Sequence, residues 1–164
     1  MRFTNAFSLK QQKHAEGLKK GIIVPEDYYV LAINCQGIPR AAYGNTMPYF
    51  VQAFLPIGPL KLSFDSKTFE LKDSFYSYRP EVFKANGAPV STNIFLDEAS
   101  SFCSAILHSS VDCANYPTKY GGDFAVLHNP RASHPVDVSV FDWCDQWKVR
   151  DDMLYRIESD RLGR

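Results

Sequence analysis

Alternation of apolar and polar positions is clearest in two runs. Leu60, Leu62 and Phe64 interleave with Lys61, Ser63 and Asp65, and Phe69 and Leu71 interleave with Thr68, Glu70 and Lys72. A period of two puts every second side chain on one face of a strand, and the polar Asp65-Ser66-Lys67 between the runs supplies a turn, so the pattern predicts a β-hairpin. Other runs are apolar almost throughout. Tyr28 to Cys35 follows Pro25 and closes at Gly37, and Tyr49 to Leu55 lies between Pro48 and Pro56. Both read as interior strands covered on two faces. Asp123 to His128 reads as another strand, and Val136, Val138 and Val140 alternate with Asp137 and Ser139. With Trp143, Trp147, Val149, Leu154, Tyr155 and Ile157 beyond them, the C-terminal third reads mostly as sheet.

A helical period emerges twice. Phe95, Ala99, Phe102, Cys103, Ile106 and Leu107 recur at intervals of three and four, which predicts a central amphipathic helix. Near the start, Ser8 and Gln11 have the form of a capping box, and Leu9 to Lys20 are mostly good helix formers ending at Gly21. That helix has a thin apolar face of Leu9, Ala15 and Leu18, suited to the periphery or to docking on a partner. Phe75, Tyr76, Tyr78 and Phe83 around Pro80 read as an aromatic loop lying over the core.

This order lacks the strict strand-helix alternation of parallel folds. The expected class is α+β: an antiparallel or mixed sheet of about six to eight strands, covered by the N-terminal helix and the central helix. No repeat, low-complexity tract or linker divides residues 1–164, so a single domain is expected.

Composition narrows the function classes more than it names one. Eighteen Lys plus Arg balance eighteen Asp plus Glu, which removes the long-range field of a dedicated DNA-binding or membrane-surface protein and permits self-association, including a homodimer. The N-terminus lacks the apolar run of a secretory signal, so a cytoplasmic location without membrane association is expected. Cys35, Cys103, Cys113 and Cys144 are far apart without a CxxC pair and read as buried thiols.

Candidate chemistry concentrates in one loop. His128, Asn129, Arg131, His134 and Asp137 fall within ten residues at the end of a predicted strand. His128 and His134 could ligate one catalytic metal with Asp137 or Asp142, or act as acid and base while Arg131 holds an anionic group. Strand capping, an Asn-Pro turn and a surface ion pair are the structural alternative. On the predicted central helix Asp97, Ser101, Ser104 and His108 would share a line, with His108 able to activate Ser104. Cys103, His108 and Cys113 could bind zinc, although helical geometry would turn Cys103 away from His108. Glu70 and Lys72 with Asp65 weakly suggest a nuclease-type magnesium site, but outward hairpin positions explain them. No phosphate-cradling glycine loop is present.

Three functions remain. The first is a non-catalytic interaction domain that binds a protein partner or a small ligand. The second is a small hydrolase, metal-dependent or not, built on His128, Arg131, His134 and Asp137. The third is a single-stranded nucleic-acid binder using Tyr43, Tyr49, Phe50, Phe75, Tyr76, Tyr78, Tyr116 and Tyr120, helped by Lys10, Lys13, Lys19 and Lys20 of the N-terminal helix but disfavoured because no Lys or Arg interleaves with the aromatics.

Overall fold

Two of the apolar runs, at Val30–Asn34 and Phe124–His128, enter the central sheet, the first at its edge with Ala32 and Asn34 exposed and not covered on two faces as expected. In the computed structural model, which describes residues 2–37, 47–111 and 122–159, five strands pair in the order β1 (Val30–Asn34), β6 (Ala105–Ser109), β7 (Phe124–His128), β8 (Asp145–Arg150), β9 (Met153–Ile157). The sheet is mixed: β1 runs parallel to β6 and β7 to β8, while β6–β7 and β8–β9 are antiparallel. Alternation along the central strands feeds two cores. Leu31, Ile106 and Leu127 face Phe50, Phe54 and Phe95 on one side, and Ala105 and Val126 face Val136, Phe141 and Cys144 on the other. Strand β6 is buried on both faces, as expected of a strand at the middle of a layered domain. Each fully buried Phe, Ile or Leu contributes about 1.5–3 kcal/mol.

Helix α1 (Arg2–Lys19) begins earlier than the capping box implies. Phe3 and Phe7, one turn apart, bury their rings against Phe54, with centroids 6.5 and 5.5 Å away. Ser8 therefore lies inside the helix, its hydroxyl donating to the Thr4 carbonyl, and Leu9 and Leu18 of the expected apolar face are exposed. The helix does end at Gly21, where φ is +65° and the amides of Gly21 and Ile22 donate to the carbonyls of Leu18 and Gly17. This is a Schellman stop, a geometry that favours glycine.

Two expectations exchange places. Tyr49–Phe54 is a helix, α2, not a strand; its buried Phe50, Val51 and Phe54 lie on one helical face. Pro48 at the N-cap and Pro56 beyond the end bound a helix as readily as a strand. The predicted central helix is instead two 3-10 turns, Ile94–Leu96 and Glu98–Ser100, followed by strand β6. Phe95 and Cys103 are buried through the turns, which mimic helical spacing, while Ala105, Ile106 and Leu107 are apolar because both sides of the strand are covered. Val138–Phe141 is likewise a 3-10 turn and not a strand.

A hairpin forms from β2 (Ile57–Phe64) and β3 (Leu71–Tyr78), but Phe69, expected to alternate with Leu71 along the second strand, sits in the turn with φ +58°. Asp65 organises its turn by accepting from the amides of Lys67 and Thr68. The register slips near Lys72, so that Phe64 faces Leu71. The stretch expected to be an aromatic loop holds the end of β3 and β4 (Glu81–Phe83), which pairs with β5 (Pro89–Ser91). The class is therefore α+β, but its largest sheet among the described residues has five strands, with two two-stranded sheets apart from it. Among the described residues no helix is long and apolar enough to cross a membrane.

Candidate functional site

The loop after β7 is held together by side chains that arrive from other elements. The amide nitrogen of Gln146, on β8, donates to the carbonyls of Val138 and Phe141, both at 3.0 Å. Its oxygen must then face the His128 ring, and His128 Nε2 donates to it at 2.8 Å. Burial lowers the pKa of His128, and the Gln146 hydrogen bond only partly opposes this, so the ring is a neutral donor at pH 7.

Asn129 acts as a clasp. Buried, it donates from Nδ2 to the carbonyls of Ser100 at 2.9 Å and Cys103 at 2.8 Å, and accepts from the Arg131 amide at 2.9 Å. Ser104 completes the fastening: its hydroxyl donates to the His134 carbonyl at 2.6 Å and accepts from the Tyr29 amide at 3.1 Å.

The four candidate residues therefore have separate local roles. His128 meets Gln146, and His134 receives Ser104 through its backbone. Arg131 approaches Glu98 at 3.7 Å, with both side chains largely exposed. Asp137 accepts from the Ser139 amide at 2.8 Å, and hydrogen bonds from Ser139 hold its carboxyl below the usual range. Among the described residues no three of His, Cys, Asp and Glu are placed to hold one metal ion.

The alignment expected on a central helix dissolves with the helix. Ser104 and His108 are separated by about 13 Å of extended chain, too far for a nucleophile and its base. His108 instead stacks on Phe50, with centroids 4.5 Å apart and planes 6° from parallel, and burial pushes its pKa down to about 4. Cys103 is a buried thiol pushed up to about 12, Cys35 one pushed up to about 11, and Cys113 lies outside the described residues. Lys72 pairs with Asp65 at 2.7 Å, leaving no open Asp, Glu and Lys set. Of the proposed stacking platform, Phe50 is core, Tyr49, Phe75, Tyr76 and Tyr78 are exposed, and Tyr43, Tyr116 and Tyr120 lie outside the described residues.

The unexpected feature is the hairpin's apolar face. Leu62, Phe64 and Leu71 are 52%, 53% and 57% exposed, and Leu60, Tyr76 and the turn residue Phe69 are exposed with them. Pairing puts Leu60 opposite Tyr76 and Phe64 opposite Leu71, with Ser74 opposite Leu62, so one face carries an apolar row along β2 that Ser74 interrupts on β3. The alternation is visible in the sequence; that nothing among the described residues covers it is not. Comparison with protein-family models, curated proteins and solved structures finds no match to this chain.

Proposed function

We propose that this chain is a non-catalytic interaction domain whose β2–β3 hairpin is the contact surface, and that a second copy of the chain occupies it. The exposed apolar row carries the reading. Its side chains present on the order of 600 Å² of apolar surface, the size of a functional patch, against about 800 Å² per partner in a standard interface. Both signs of charge lie on the same arm, with Lys61, Lys67 and Lys72 beside Asp65, Glu70 and Asp73. Lys72 and Asp65 already pair within one copy, so the contact rests on the apolar row, and zero net charge removes long-range repulsion between copies.

Sedimentation velocity tests this from low micromolar to about 1 mM, where association of only about −4 kcal/mol becomes visible. The expected result is a dimer whose population falls on dilution and disappears in Leu62→Glu, an exposed substitution that leaves the far-UV spectrum unchanged. A monomer throughout, or a dimer indifferent to Leu62→Glu, overturns self-association. Turnover of any substrate that is lost on changing His134 or Arg131 overturns the non-catalytic part and restores the hydrolase.

A further inference from the structure

Arg79 stands just beyond β3, its amide donating to the Pro56 carbonyl at 2.8 Å. Its own carbonyl accepts the Thr92 hydroxyl, which fixes the residue between the hairpin base and the β4–β5 pair. The guanidinium Nη2 donates to Gln52 Oε1 at 3.0 Å. Gln52 spends its amide nitrogen on the Met47 carbonyl, also at 3.0 Å, so its oxygen is committed to the arginine. No carboxylate pairs with Arg79 among the described residues, and its Nε is shut away from solvent without an acceptor. A guanidinium stays charged at any ordinary pH, and one amide dipole offsets only part of that charge.

Beside it lies a cavity of about 340 Å³ whose walls include Met47, Tyr49, Pro59, Leu60 and Tyr76. Its volume is within the range of small-molecule sites and equals on the order of ten waters of liquid. Walls that mix aromatic and apolar side chains with polar groups, Gln52 among them, and an arginine with no carboxylate partner in the described lining suit a ligand with a flat apolar body and one negative charge. A carboxylate matches a single guanidinium in charge and would be held by the Nη donors left after Nη2 has met Gln52, since Nε is sealed, whereas a phosphate dianion would bring a second charge for which the described lining has no cation.

We propose that this cavity binds a small aromatic carboxylate, with the carboxylate on Arg79 and the ring against Tyr49 and Tyr76. Saturation-transfer NMR and calorimetry on the full chain, with benzoate, 1-naphthoate, phenyl phosphate and benzamide as probes, test it. The expected order is naphthoate, then benzoate, with phenyl phosphate weaker and benzamide undetectable. Arg79→Met should weaken naphthoate on the order of tenfold or more. Leu60→Trp, at a partly exposed wall position that tolerates the larger side chain, should block it sterically even if Arg79→Met does not fold. Repeating the titration on Leu62→Glu separates a site hidden by self-association from no site at all. Benzamide binding as well as benzoate, phosphate preferred, affinity unchanged in both cavity variants, or no binding to either the native chain or Leu62→Glu would each overturn the proposal.

Discussion

Replacing His108 by Phe is predicted to remove a large part of the stability that the protein loses between neutral and mildly acidic pH. His108 is 8% exposed, stacked on Phe50 and near Phe3, and flanked on its neighbouring strands by Ile33 and Ala125. Burial lowers its pKa from 6.5 to about 4 in the folded state. Above the unfolded value the ring is neutral in both states and contributes no pH dependence. Below it the unfolded chain binds a proton that the folded chain refuses, so stability falls with pH until the folded pKa is reached. At 1.36 kcal/mol per pH unit, that difference costs about 2–3 kcal/mol by about pH 4.5. The assay is urea unfolding of native protein and His108→Phe at about pH 7.5 and about pH 4.5, with equal slopes confirming that only stability has changed. Phe keeps the stack and cannot charge. His128 and His14, also lowered by burial, remain in both proteins and cancel. If His108→Phe loses as much stability across that interval as the native chain, the buried neutral imidazole is wrong.

Two further substitutions probe the loop and the hairpin. Asn129→Ala strips the Cys103 carbonyl of its Asn129 donor and leaves the Ser100 carbonyl with only the Cys103 amide, and should lower the unfolding free energy by about 1–3 kcal/mol, read from the urea midpoint. Asn129→Asp keeps the acceptor for Arg131 but loses both donors, and should be nearly as damaging. Gly58→Ala would bring a Cβ to 2.5 Å from Ser77 Oγ and 2.9 Å from the Ser77 carbonyl. It should cost about 1–3 kcal/mol and speed hydrogen exchange in β2 and β3 ahead of the central sheet.

The hairpin and β7 were legible because alternation or a short apolar run bounded by turn residues has few other solutions. The stretch Tyr49–Phe54 was not, since six nearly all-apolar residues between prolines satisfy either period. Phe95 to Leu107 misled for a different reason: tertiary cover made both faces of β6 apolar, and the preceding turns supplied helical intervals. The loop from His128 to Asp137 stood out by composition, but its interpretation depended on Gln146 and Ser104, which approach from other elements. Arg79 carried no signal at all. Its interest lies in the lack of a carboxylate neighbour among the described residues, a property of the folded surroundings rather than of the chain nearby.

The parallel pairing of β1 with β6 has a consequence for how the chain must assemble. Val30 meets Ala105 across most of the first hundred residues, and among the described residues β6 is the sole strand beside β1. During synthesis, β1 waits without a ladder until residues 105–109 have emerged, while the β2–β3 hairpin, closed by a short turn, can form early. In that interval α1 lacks Phe95, Phe102 and His108, three of the rings it packs against, so the N-terminal third leaves the ribosome with apolar surface whose partners do not yet exist.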